Sequence, residues 1–152
     1  ALLSPQPVRP ILAGVVDDLS PKGDERGVTL ALDCSADLVA PLNKPLFERA
    51  VANLVDNGIA YSEPGGKVTV TATLTGGALF VAVRDVGIGI DKGHLARIFE
   101  RFYRVDPARS RTLGGTGLGL SIVKHAALAH NGRVTVHSVP GEGSVFTLVT
   151  PT

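Results

Sequence analysis

At 152 residues, 44% of them hydrophobic, the chain has the size of one domain. It can bury roughly 70% of the surface its unfolded state exposes, so it needs no metal or disulfide staple to close a core. A formal net charge of +1 with 19% charged residues gives no broad electrostatic reason for a nucleic-acid or membrane-surface partner, and the single cysteine, Cys34, excludes an internal disulfide and points to a reducing compartment. No apolar run approaches the roughly 18 residues of a membrane span, and no signal peptide is visible. The first residue is Ala1 rather than methionine, and we expect a piece of a longer protein.

In chain order, three prolines in the first ten residues predict a connector leading into a short helix over about 11–19. Residues 28–33, VTLALD, alternate apolar with small or polar side chains, the period of a half-buried strand. From 44 to 59, Phe47, Ala50, Val51, Leu54 and Val55 recur at steps of three and four, a helix with one face in the core, which SEPGG at 62–66 stops. Residues 67–74 and 78–85 predict a hairpin whose second strand runs into VGIGI. A short helix is expected within DKGHLARIFERF. The basic, aperiodic stretch after it predicts a segment without fixed structure between Val105 and Leu113 when no nucleotide is bound. LGLSIVKHAALAHNG reads as a helix with an Asn-Gly stop, and 133–139 with 144–151 as a final hairpin. Strand pairs interleaved with single helices predict a two-layer α/β sandwich with a mixed, mainly antiparallel sheet packed against about three helices.

Three segments carry chemistry. At 100° per residue, Arg49, Asn53, Asn57 and Tyr61 form a stripe beside the apolar face of the 44–59 helix. Asparagine is disfavoured inside helices, but its amide oxygen can coordinate a hard cation such as Mg²⁺, which takes one or two protein ligands plus phosphate oxygens. The same amides also read as solvated groups or loop caps. In DVGIGI, Gly87 and Gly89 permit close backbone approach, and Asp85 can accept from an exocyclic amine; alone, this is equally an ordinary turn. GGTGLGLSIV at 114–123 opens a helix with bare N–H groups, an arrangement suited to phosphate. Its alternating glycines match neither the dinucleotide fingerprint nor a P-loop.

Taken together, NLVDNGIAYS, DVGIGI, IFERFYRVD and GGTGLGLSIVKH resemble, in order and spacing, the four boxes of the ATP-binding catalytic domain of sensor histidine kinases, the GHKL or Bergerat fold. The likeness covers nearly all of 28–150, and FYRVDPARSRTLGGTGLGLSIVKHA is most similar to phosphate-responsive kinases of the PhoR type. The resemblance implies ATP and Mg²⁺ as cofactors, with Asn57 as the metal-binding asparagine and Asn53 supporting the metal and phosphates. It implies Tyr61 against adenine, Asp85 reading the adenine amino group, and Gly87, Gly89 and Ile90 shaping the adenine pocket. Arg104 would reach toward the terminal phosphates. Gly115, Thr116, Gly117, Leu118, Gly119 and Leu120 would form the backbone cradle that ends an ATP lid of roughly residues 97–115. Phe99 and Phe102 would anchor that lid, unless they are plain core residues.

The resemblance also implies a histidine-phosphorylating activity, a partner phosphoacceptor and dimerisation domain, a cognate response regulator, and a homodimeric, membrane-anchored bacterial parent with this domain in the cytoplasm. The fragment itself is expected to be monomeric, and no nucleic-acid partner is expected. Residues 1–20 are then the linker and short helix after a missing helical hairpin, and 21–152 the catalytic domain.

Departures from the pattern are Ala60, where the family often carries a lysine, and Gly58, where alanine is common. His94, His125, His130 and His137 do not match a phosphoacceptor and are expected to be surface or structural residues, so the receiving histidine is expected elsewhere. Other readings are a degenerate nucleotide-binding module, which Ala60 keeps open, a different ATPase or anti-sigma kinase of the same fold group, and a purely structural interaction domain.

Overall fold

The structure, a computed structural model, describes residues 2–105 and 119–152. The segment expected to lack fixed structure between Val105 and Leu113 lies, apart from Val105, outside the described residues, as do Gly115, Thr116, Gly117 and Leu118. The described part contains seven strands and four helices: β1 (Ser4–Pro7), α1 (Val8–Glu25), β2 (Thr29–Cys34), β3 (Val39–Leu42), α2 (Lys44–Tyr61), β4 (Lys67–Thr75), β5 (Ala78–Asp85), α3 (Lys92–Leu95), α4 (Gly119–Ala129), β6 (Arg133–Val139) and β7 (Gly143–Pro151). No helix among the described residues is long and apolar enough to cross a membrane.

The expected two-layer α/β architecture is present. A five-stranded sheet runs in the order β2-β4-β5-β7-β6. Its β2·β4 pair is parallel and its other pairs are antiparallel. Strand alternation sends Val68, Val70 and Ala72, then Leu79, Val81 and Val83, then Phe146 and Leu148 to one face, where all are buried. Against them pack Leu12 of α1, Phe47, Val51 and Leu54 of α2, and Val123 of α4, all at 0% exposure, in one continuous core.

The amino-terminal region departs most from expectation. Residues 4–7 are a strand paired antiparallel with β3, and the helix expected over about 11–19 runs from Val8 to Glu25. Proline lacks a donor but is tolerated at a sheet edge and in a first helical turn, where no intrahelical bond is due; Pro5, Pro7 and Pro10 stand in those positions. The helix ends on Gly27, at φ +72°. There the Val28 N–H reaches Gly23 O at 2.8 Å and the Gly27 N–H reaches Asp24 O at 3.1 Å, the paired bonds of a Schellman cap. A four-residue β3, with no periodicity of its own to announce it, is the other element that local pattern does not reveal.

Candidate functional site

Helix α2 carries the asparagine stripe because its ends and its inner face are both well specified. The Asn43 side chain accepts from the Leu46 N–H at 3.2 Å, capping the first turn, and at the far end Ser62 Oγ donates to Gly58 O at 2.8 Å. Phe47, Ala50, Val51, Leu54, Val55, Gly58 and Ile59 are buried. The half-buried Asn53, Asn57 and Tyr61 line the edge of that face. In both asparagines the side-chain nitrogen is buried with no hydrogen-bond partner; the one other such side-chain atom among the described residues is Thr150 Oγ1. A buried amide left unpaired costs about 1–3 kcal/mol, and two stand one turn apart on a single helix. A carboxamide can turn over to present its oxygen instead, so the pair suits a ligand that offers either acceptors or a cation.

Gly58, the departure from the alanine pattern, has a steric reason. A Cβ there would stand 3.2 Å from both methyl carbons of Val68, tighter than ordinary van der Waals contact. Glycine lets α2 lie close on β4, beside the residue that Val68 pairs with, Asp85.

Asp85 continues the inward alternation of Leu79, Val81 and Val83, which places a carboxylate on the helix-covered face at only 4% exposure. Burial pushes its pKa above the ordinary 3.8, and hydrogen bonds from the backbone N–H groups of Gly87 and Ser144 act in the opposite direction. The Gly87 N–H reaches Asp85 Oδ1 at 3.0 Å. Beyond Asp85 the chain is pressed against the end of α2: the Ile88 N–H donates to Tyr61 O at 3.0 Å, and a Cβ on Gly87 would fall 1.9 Å from that same oxygen. On the other side, Gly89 (φ +74°) leaves no room for a side chain, since a Cβ would meet Val139 O at 2.3 Å. Ile90 is buried, and its N–H donates to Ser138 Oγ at 2.7 Å. Asp85, Gly87, Gly89 and Ile90 thus form one fixed turn abutting Tyr61.

Gly119 opens α4, and a Cβ placed on it would lie 3.9 Å from Asn53 Cγ. The end of the glycine-rich segment therefore meets the asparagine stripe, with Leu120 half-buried behind it. The two phenylalanines expected to anchor a lid separate. Phe99 packs edge-on against Phe146, ring centroids 6.2 Å apart, whereas Phe102 is 63% exposed, has φ +67° and lies under the Arg101 guanidinium. Arg104 is half-buried and has no ion-pair partner among the described residues. The helix expected within 91–102 is a single turn, α3, continued by separate turns.

Two unpaired amide nitrogens, a buried carboxylate in a glycine turn and a glycine-led helix are the parts that three of the four sequence boxes supply, here assembled around α2. The family described as histidine kinase-, DNA gyrase B- and HSP90-like ATPase matches residues 43–152. The chain belongs to this ATPase family. Among its relatives, the sensor-like histidine kinase SenX3 of Mycobacterium tuberculosis is 45% identical over 84% of this chain and 31% of its own length. The phosphate regulon sensor protein PhoR of Pseudomonas aeruginosa is 37% identical over 94% of this chain and 32% of its own. The chain thus spans about a third of the length of these curated relatives. Full-length ShkA, solved in complex with AMPPNP, superposes with a TM-score of 0.86 at 30% identity, covering 99% of this chain and 31% of that one. The mycobacterial sensor histidine kinase MprB gives a TM-score of 0.83 at 25% identity over 99% and 97%.

Several residues that shape this ATPase-family site carry no local sequence signal. Ser138 Oγ holds Ile90 and bonds to Ser144 Oγ at 2.7 Å, while the Ser144 backbone holds Asp85. Both serines come from the last hairpin, more than fifty positions after Asp85, and the β5·β7 and β6·β7 registers together bring them to the turn.

Proposed function

We propose that this chain is the ATP-binding catalytic domain of a sensor histidine kinase, holding Mg-ATP between α2, the Asp85 turn and the start of α4. The observation that carries the reading is the pair of buried, unpartnered amide nitrogens on Asn53 and Asn57, with Asn53 beside the first residue of the glycine-led helix. The adenine ring lies against Tyr61, with its amino group donating to Asp85, which when ionised is purely an acceptor. Gly87, Gly89 and Ile90 hold that end of the cleft in shape. Gly119 and Leu120, with Gly115, Thr116, Gly117 and Leu118 before them, supply backbone N–H groups to the phosphates.

The donor set suits magnesium. No cluster of three His, Cys, Asp or Glu side chains forms among the described residues, and Mg²⁺ bound to a nucleotide draws most of its ligands from phosphate and water, leaving one or two positions for an asparagine oxygen. Asn57 would hold the ion and Asn53 would steady the phosphates beside it. When bound, magnesium neutralises charge on the phosphoryl oxygens. Arg104 adds a second positive group at the terminal phosphate. That contact matters more in this chain because Ala60 offers none. Catalysis here is positioning and charge neutralisation. The attacking imidazole belongs to a separate helical-hairpin domain of the same, homodimeric kinase, and the phosphoryl group then passes to a response regulator. We place the domain on the cytoplasmic side of a membrane-anchored parent.

Titration calorimetry with Mg-ATP tests the binding. The native chain is expected to bind, and Asn57→Ala is expected to abolish binding while preserving the circular dichroism spectrum. Retained affinity in that variant overturns the assignment of the metal site. Radiolabelled ATP tests the chemistry: the chain alone should acquire no phosphohistidine, and should label a helical hairpin bearing a histidine when one is supplied in trans. Binding without transfer would make it a nucleotide-holding module.

A further inference from the structure

The segment from Asp91 to Tyr103 is built of turns closed at intervals of three. The His94 N–H donates to Asp91 O, Arg97 to His94 O and Glu100 to Arg97 O, each at 2.9 Å, and Tyr103 to Glu100 O at 3.2 Å. Bonds between residues i and i+3 stack the corresponding side chains on one side, and here they do meet. The half-buried His94 hydrogen-bonds through Nδ1 to the Tyr103 hydroxyl, their rings 5.8 Å apart. The Arg97 guanidinium lies 4.7 Å above the centre of the Tyr103 ring and is itself held by Glu100 through two bonds of 3.2 and 3.3 Å. Immediately before Tyr103 stands Phe102 with φ +67°, a left-handed residue other than glycine, which persists only where its surroundings hold it. Immediately after stands Arg104.

We infer that His94, Arg97 and Tyr103 form a clasp that fixes the direction in which the chain leaves this segment, and so aims Arg104 at the terminal phosphate of the nucleotide. His94 and Tyr103 are positioning residues: they touch neither nucleotide nor metal, and act through the residue that follows the clasp. The inference rests on the nucleotide-binding reading above and deepens it, because it names what keeps a long side chain in place where the lysine expected at position 60 is absent. An arginine on an unheld chain would lose much of its contribution to the entropy of being ordered.

The test compares Mg-ATP with Mg-ADP, which differ by the phosphate Arg104 is meant to reach. By calorimetry the native chain is expected to prefer ATP, and Arg104→Ala to lose that preference. Tyr103→Phe, which keeps the ring under Arg97, and His94→Ala should each reduce the ATP-to-ADP affinity ratio about five-fold, the equivalent of one hydrogen bond, with ADP affinity unchanged and the circular dichroism spectrum preserved. Adding Tyr103→Phe to Arg104→Ala should cause no further loss. Equal weakening of both nucleotides in Tyr103→Phe would reduce the clasp to a structural contact and overturn the inference. So would native affinity for both nucleotides in that variant, or a native ratio in Arg104→Ala; each of these outcomes leaves the nucleotide-binding reading standing. A native chain that binds neither nucleotide overturns the functional reading itself, and the clasp with it.

Discussion

At the scale of single residues, the site is a set of polar groups placed where the fold alone would not put them. Asn53 and Asn57 bury amide nitrogens without partners, and Asp85 buries a carboxylate at 4% exposure. Each is unfavourable in the empty domain and becomes reasonable beside a polar ligand. Asp85 makes the point testable by pH. Its folded-state pKa is raised above 3.8, chiefly by burial, so the folded chain binds this proton more tightly than the unfolded one. The stabilisation from that proton is complete below the unfolded value and is lost as pH rises through the folded value. Asp85→Asn carries no such proton. Its melting temperature, relative to the native chain, is expected to climb as pH rises from below the ordinary carboxylate range to above it. Differential scanning calorimetry across that interval reads the effect, and a difference that stays flat would show that the carboxylate suffers no burial penalty. The residue types and spacing of this site are legible in the sequence. The serines that hold its turn are not, because Ser138 and Ser144 act across a strand register rather than along the chain.

At the scale of elements, helix packing decides where the site's parts lie. One buried histidine links the two helices that bear them. The Asn43 N–H donates to His130 Nε2 at 3.0 Å, which makes Nε2 the acceptor and puts the proton on Nδ1; that nitrogen then donates to Ala126 O at 2.7 Å. His130 is 2% exposed and lies edge-on to Phe47, 6.4 Å between centroids, so it ties the end of α4 to the cap of α2. Replacing it with alanine removes the partner of the part-buried Asn43 N–H, a loss of about 1 kcal/mol, and opens space beside Phe47 that adds to the cost. Urea denaturation of His130→Ala should show a lower midpoint with the slope preserved. An unchanged midpoint would mean that the bridge adds nothing to stability. Local pattern is compatible with either a structural or a surface histidine at 130, and the interior position distinguishes the two. The extent of α2 is legible because its caps and its three-four period coincide. The length of α1 is not, because proline composition suggests a connector where the tertiary environment accepts prolines at an edge and in a first turn.

At the scale of the whole molecule, α1 belongs to the same core as the sheet. Val8, Ile11, Leu12 and Val15 are all buried, and Lys22 pairs with Asp56, the neighbour of Asn57. That ion pair is partly exposed and adds little; the apolar contacts carry the attachment. Burying each of the four side chains is worth roughly 1.5–3 kcal/mol, a sum comparable to the roughly 5–15 kcal/mol of total stability typical of a domain. A chain beginning at residue 21 is therefore expected to lose its cooperative thermal transition in circular dichroism. A sharp transition near that of the full chain would make the helix dispensable and place the start of the folding unit after it.

The sequence by itself determined the layered α/β class, the strands and helices with strong period, and the chemical kit of two asparagines, an aspartate and three glycine-bearing boxes, because periodicity and turn chemistry are local properties of the chain. Only the tertiary structure decided that a proline-rich start becomes strand and core helix, that Gly58 lets α2 approach Val68, and that serines from the last hairpin secure the Asp85 turn. Those outcomes depend on what lies opposite each residue in space, and in a close-packed interior that neighbour outweighs local propensity.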